Sequence, residues 1–176
     1  MIALIGAGPS GLAGARNLQK LGIPFQGFET YADVGGLWNI HNPRSTVYES
    51  AHLISSKRMT EFSEFPMPDS VADYPSHREL LAYFQAFAEA FDLRRHYRFN
   101  TRVIKVEPVS DAPDTLWRLT TQSGDAPPEV AEYKGSGGGQ WHLSRTQHAQ
   151  VSRIVCRRAL AHLALQERHA VPASGC

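Results

Sequence analysis

The sequence predicts an α/β fold: a parallel sheet entered at its first strand, a helix laid across it, and a small antiparallel meander attached later. Three observations predict it. A short apolar run, Met1 to Ile5, gives way to helical spacing at Leu12, Ala15, Leu18 and Leu21. Between the two, Gly6, Gly8 and Gly11 spell G-x-G-x-x-G. Alternating segments bounded by turn residues then follow between residues 99 and 133.

The first strand needs its apolar run because a parallel strand is buried on both faces. Pro9 suits the first helical turn, where its missing N–H costs nothing. Gly22 stands where a helix C-cap is expected, and Pro24 prevents continuation. A second strand, Phe25 to Phe28, ends on Glu29, which lies 18 residues past Gly11. This completes a strand–loop–helix–strand–acid unit, the Rossmann-like arrangement that holds a dinucleotide. Gly6 permits the tight turn out of the strand. Gly8 carries no side chain, so a pyrophosphate can approach the helix N-terminus, and Gly11 lets helix and strand pack closely. Glu29 can accept both ribose hydroxyls of an adenosine, and its charge disfavours a 2′-phosphate there.

Gly35-Gly36-Leu37-Trp38 can bring backbone close to a bound cofactor, with Trp38 as a flat surface beside it; a simple turn explains the same residues equally well. Residues 39 to 76 are polar and lack periodicity, but Leu53, Ile54, Phe62, Phe65 and Met67 punctuate them, which favours an ordered excursion. Ser76 and Glu79 form a capping box ahead of a helix whose apolar face is Leu80, Leu81, Phe84, Phe87, Ala88 and Phe91. Extended segments are expected from Phe99 to about Val109, Leu116 to Gln122 and Val130 to Tyr133, with turns between them.

Composition bounds the rest. A chain of 176 residues makes one domain, or one and a fraction. A net charge of +1 argues against nucleic acid or another polyanion as partner. No apolar run approaches the roughly 18 residues that a membrane span needs, so no transmembrane segment is expected. Two cysteines, Cys156 and Cys176, imply no disulfide framework. With no basic-then-apolar leader ahead of the first strand, a cytoplasmic setting is expected.

The residues from Met1 to about Lys134 resemble the N-terminal FAD-binding part of flavin-containing monooxygenases, a family similar to the Baeyer–Villiger monooxygenases. The resemblance rests on GAGPSG, Phe28-Glu29, GGLW at 35 to 38, Y-E-S-A-H-L-I-S-S-K from Tyr48, F-S-E-F-P-M-P from Phe62, Y-P-S-H from Tyr74 and F-N-T-R-V from Phe99. It implies a Rossmann-like FAD-binding domain, here incomplete. Gly6, Ala7, Gly8, Pro9, Ser10 and Gly11 would cradle the FAD pyrophosphate, and Glu29 would bind the ribose. Gly36, Leu37 and Trp38 would line the flavin, and the strand through Val103 would lie beside the adenine. It also implies that NADPH reduces FAD and that one oxygen of O₂ passes to a small-molecule substrate, a soft nitrogen or sulfur nucleophile or a ketone. No side chain is singled out as catalytic and none as a metal ligand. Two other readings stay open: an FAD-binding fragment without turnover, and another two-dinucleotide flavoprotein, against which the missing C-x-x-x-x-C motif argues.

Two departures qualify the resemblance. Many members carry Asn three residues before the lysine matching Lys57, and here that residue is Ile54, which suggests a divergent subgroup. The family chain is also more than twice as long, so the NADPH-binding domain, with its second G-x-G-x-x-G, is absent from this chain. The tail from Gly135 differs in composition from what precedes it. It has five arginines, one acid and a single aromatic (Trp141), whereas residues 1 to 134 hold 13 basic, 16 acidic and 16 aromatic residues. A tail translated one base out of frame from about Gly137 fits this. A one-base offset of plausible codons for G-G-G-Q-W gives V-V-A-N-G, the strand and turn expected there. The same offset along Val155 to Gln166 gives F-A-G-E-L-L-H-T-S-R-Y-K, which matches the family fingerprint F-x-G-x-x-x-H-x-x-x-Y. The alternatives are a flexible linker at Gly135 to Gly139 with an interaction helix from Arg157 to Arg168, or a metal site at Cys156, His162 and Cys176. The domain division expected is therefore 1–134 for the FAD-binding unit and 135–176 for an unrelated tail.

Overall fold

Strand β1 (Ile2–Ile5) begins a parallel sheet in a computed structural model that describes residues 1–112 and 115–138. Helix α1 (Pro9–Lys20) follows directly, with Pro9 in its first turn, and Gly22 takes the left-handed conformation (φ 64°) that ends it. Strand β2 (Phe25–Phe28) returns beside β1 in parallel register, Ile2 opposite Phe25 and Ile5 opposite Phe28. The expected unit is therefore present with its expected order and type.

The excursion from 39 to 76 is ordered by polar anchors. Helix α2 (Lys57–Thr60) buries the Lys57 stem, and its ammonium donates to the Val71 carbonyl at 2.6 Å, with the Pro68 and Asp69 carbonyls at 3.4 Å. One cation thus ties three carbonyls of the loop from Pro68 to Val71 to helix α2. The Tyr83 hydroxyl accepts the Phe62 N–H and donates to the Phe65 carbonyl, both at 2.7 Å.

Helix α3 (His77–Ala90) starts on the predicted capping box: the Ser76 and Glu79 side chains each bond the other's backbone N–H. Leu80, Tyr83, Phe84, Phe87 and Ala88 face the core, where Leu12, Val34 and Leu93 are also fully buried. The face is rotated slightly from the expected one. Tyr83 is buried because its hydroxyl has partners, and Leu81 is half-buried against Gly35.

Strand β3 (Tyr97–Arg98), not expected from the sequence, extends the parallel sheet beyond β2. Asn100, in the left-handed region (φ 51°) that Asn tolerates, turns the chain out of this sheet. Strands β4 (Thr101–Pro108), β5 (Trp117–Ser123) and β6 (Glu129–Tyr133) then form the antiparallel meander. A second apolar cluster (Ala3, Phe28, Leu119, Tyr133) joins the meander to the other face of β1 and β2.

Strand β7 (Gly135–Gly138) closes the described chain as the parallel neighbour of β1, giving the order β3-β2-β1-β7. The sheet thus continues four residues past the boundary drawn from sequence, and Gly135 to Gly138 do not form a free linker. The rest of the tail lies outside the described residues, including the offset reading beyond Gly138, the helix from Arg157 to Arg168 and the candidate ligands Cys156, His162 and Cys176. Glycine is a poor strand residue because it adds flexibility and packs nothing. Among the described residues, a Cβ on Gly135 would meet no atom within 4 Å. Gly135→Val is therefore expected to raise stability by about 0.5–1 kcal/mol, visible as a higher thermal midpoint. A lower midpoint would show that this strand is not paired.

Candidate functional site

The glycine loop is built by contacts that leave no room for side chains. Gly6 adopts φ 93° as the chain leaves β1, and its N–H bonds the Phe28 carbonyl at 2.8 Å. Gly8 caps α1 with its backbone alone, and Leu12 N–H returns to the Gly8 carbonyl at 2.9 Å. The N–H groups of a helix's first turn have no carbonyl within their own helix, so this end favours an anion. A Cβ on Gly11 would lie 2.0 Å from the Gly6 carbonyl oxygen, so α1 sits against the loop at backbone distance.

The second glycine pair closes on the first. The Gly35 N–H donates to the Ala7 carbonyl at 3.0 Å, and a Cβ on Gly36 would come within 2.9 Å of Gly8 Cα. Gly35 and Gly36 both have positive φ (108° and 55°), which accounts for glycine at each. The structure therefore brings Gly6 to Gly11 and Gly36 together. Trp38 packs partly buried against the main core, and the neighbouring Leu37 stays exposed.

Glu29 ties the site to the sheet. Its carboxylate is buried and accepts the Ala7 N–H at 2.6 Å through Oε2 and the Tyr31 N–H at 3.0 Å through Oε1. Burial pushes its pKa above the ordinary carboxylate value, and the hydrogen bonds from Ala7, Tyr31 and Thr30 pull against that. Its own N–H bonds the Arg98 carbonyl (3.0 Å) and its carbonyl accepts the Thr101 N–H (2.8 Å). Just past it lies a cavity of about 290 Å³ lined by Thr30, Asn100, Arg102, Gln122 and Gly124. Val103 follows Arg102 on β4 and packs into the second cluster.

Sequence reasoning missed Tyr97. Its ring lies so close over Gly27 that a Cβ there would meet it at 2.4 Å, and its hydroxyl reaches the Gly6 carbonyl at 3.4 Å. Burial, with the Glu29 charge second, pushes the phenol pKa far up, so it remains a neutral donor beneath the loop. A strand of two residues gives no periodicity, but a glycine inside β2 was a signal that something approaches closely. Ile54, at the position where relatives were expected to carry Asn, has a fully exposed side chain. Among the described residues no helix is long and apolar enough to cross a membrane.

A parallel sheet, a glycine cradle at the head of α1 and an acid at the end of β2 define an α/β domain of the dinucleotide-binding kind. Residues 1–133 match the family model for FMO-like, flavin-binding monooxygenase-like proteins, and the chain belongs to that family. It is 39% identical over 127 residues to dimethylaniline monooxygenase [N-oxide-forming] 2 of Oryctolagus cuniculus, and 36% identical over 127 residues to flavin-containing monooxygenase 2 of Homo sapiens. Both alignments cover 69% of this chain and 24% of the relative, so the chain spans about a quarter of the length of these relatives. Among solved structures it resembles cyclohexanone monooxygenase in its closed form (TM-score 0.64, 29% identity, 78% of this chain and 25% of that one). It also resembles OTEMO in complex with FAD and NADP (TM-score 0.68, 27% identity, 83% of this chain and 26% of that one). The fold is shared with S-allyl-L-cysteine S-oxygenase from Allium sativum (TM-score 0.69, 21% identity, 78% of this chain and 35% of that one).

Proposed function

We propose that residues 1–134 are the FAD-binding segment of an NADPH-dependent monooxygenase that transfers one oxygen of O₂ to a soft nitrogen or sulfur nucleophile or to a ketone. The observation that carries this reading is the buried Glu29 carboxylate, hydrogen-bonded to the glycine loop at Ala7. The acid and the cradle are thereby locked in register. A pyrophosphate on Gly6 to Gly11 would place its adenosine ribose toward Glu29, and the Gly36 turn would pass beside the cofactor. The carboxylate accepts ribose hydroxyls and repels a 2′-phosphate, which favours FAD over NADPH at this site. Bound flavin, reduced by NADPH, supplies the oxygen-transfer chemistry. The protein's own part here is to bind and orient: the helix end would receive the phosphates, Glu29 would hold the ribose, and Tyr97 stiffens the loop from below.

The same proposal holds that these 176 residues on their own bind FAD without turning over, since they carry a single G-x-G-x-x-G. The out-of-frame reading of the tail belongs to it as well. A run of glycine and serine stands beside β1, where a strand of a parallel sheet is ordinarily apolar. Sequencing the gene across and beyond these codons tests that reading, which fails if the offset frame is closed by stops. A cytoplasmic setting completes the proposal, in keeping with residues 1–134 holding no cysteine.

The purified 176-residue chain, mixed with FAD and passed over a desalting column, is expected to retain flavin absorbance. With NADPH added, it should consume no more than free FAD does. Flavin lost on the column would overturn the binding reading, and NADPH consumption above that of free FAD would overturn the absence of turnover.

A further inference from the structure

A second cavity, of about 280 Å³, lies between the loop that follows Trp38 and helix α3, and it contains no residue of the glycine cradle. His77 is part of its lining. It is the first residue of α3, is 1% exposed, and is fixed by its main-chain N–H to the Ala51 carbonyl at 3.0 Å. Among the described residues, neither of its ring nitrogens has a hydrogen-bond partner. A buried polar group left unmade in this way is costly, and native structures rarely tolerate one without a reason.

Glu49 supplies the second half of the site. Its Oε1 is engaged by the Arg78 guanidinium, which leaves Oε2 facing the ring. That oxygen lies 3.8 Å from His77 Nε2, too far for a direct hydrogen bond. The separation suits one donor atom placed about 2.9 Å from each. The proposal requires the Nδ1–H tautomer, in which Nε2 is an acceptor and two acceptors converge on a position where a donor belongs. One of them is a carboxylate, which selects a charged N–H over a neutral one. Ile40, Leu81 and Ala82 provide hydrocarbon beside it.

We propose that this cavity binds a small primary alkylammonium, its nitrogen shared between Glu49 Oε2 and His77 Nε2 and its short chain against Ile40, Leu81 and Ala82. The site is independent of the FAD reading, because none of its residues belongs to the cradle or to Glu29.

The test titrates the full 176-residue chain with n-propylammonium chloride, following ligand saturation transfer and the histidine ring ¹⁵N signals. Saturable binding in the millimolar range is expected, as befits so few ligand atoms. Tetramethylammonium, which has no N–H, and 1-propanol, which has no charge, should bind at least tenfold more weakly. Glu49→Gln, on an exposed side chain and checked for unchanged helicity, should weaken propylammonium at least tenfold. Equal binding of either control, no effect of Glu49→Gln, or no saturable signal would each overturn the proposal. So would a ring spectrum of the free protein showing Nε2 protonated. FAD retention, measured separately, reports on the cradle and is expected to be unchanged in Glu49→Gln.

Discussion

Gly11→Ala is expected to disrupt the nucleotide end of the domain rather than merely trim its affinity. The added methyl would lie 2.0 Å from the Gly6 oxygen and 2.9 Å from the Gly6 carbon. Both are backbone atoms, and Gly6 is itself held in a positive-φ turn at the end of β1. Relief therefore requires α1 to lift from the sheet, pulling Leu12 and Ala15, both fully buried, out of contact with the core. Overpacking that shifts backbone costs about 3 kcal/mol or more, which for a domain of this size lowers the thermal midpoint by about 10 °C. FAD retention should be lost with it. Gly14→Ala is the control on the same helix: its methyl would stand 3.4 Å from Leu4 Cδ1, a side-chain tip, and alanine is the better helix former. Its midpoint should be equal or higher. Equal midpoints for Gly11→Ala and the parent chain would refute the packing described for the loop.

Glu29→Gln should cost both stability and cofactor, through different terms. Both carboxylate oxygens accept main-chain N–H groups, whereas an amide has one oxygen to offer and turns an N–H₂ toward the other donor. The orphaned buried N–H costs about 1–3 kcal/mol. The pH dependence carries the second term. Burial raises the folded pKa of Glu29 above its ordinary value near 4.5. Its contribution to stability is therefore full below that value and is lost as pH rises through the folded pKa. At neutral pH the ionised carboxylate is held at a net desolvation cost that ribose hydroxyls would offset. FAD affinity is thus expected to rise with pH across this titration, as measured by flavin fluorescence quenching. In Glu29→Gln it should be at least tenfold weaker and flat over the same range. A pH dependence that persists in the variant would assign the titration to another group.

Much of the fold was legible because the period of the apolar residues changes where the structure changes. The run Met1 to Ile5, the helical spacing from Leu12 and the capping box at Ser76 each carry a local rule that tertiary contacts did not override. The cradle was legible for the same reason, since glycine spacing and a strand-end acid are local patterns. What escaped depends on partners distant in sequence. Tyr97 matters through Gly27 and Gly6, and β3 is too short to show alternation. Lys57 reads as a surface cation until the loop from Pro68 to Val71 closes over it. Strand β7 escaped because Gly-Ser-Gly-Gly has a linker's composition, yet edge pairing to β1 asks only for main-chain donors and acceptors. His77 resembles any polar residue in a helix's first turn, and its burial comes from the chain on either side of it.

Phe28 sits on the meander side of the sheet, its ring edge-on to Tyr133 with centroids 6.0 Å apart, and its strand neighbours Gly27 and Phe25 lie against the helices and Tyr97. The two apolar clusters thus share β1 and β2 as a common wall. Peeling the meander away would bare Ala3 and Phe28 and would free the Thr101 amide from the Glu29 carbonyl. Loss of the helices would in turn leave the same two strands unsupported. The two layers are therefore expected to unfold together, and a ligand held at the glycine loop to raise the protection of the distant meander along with that of the helix it touches.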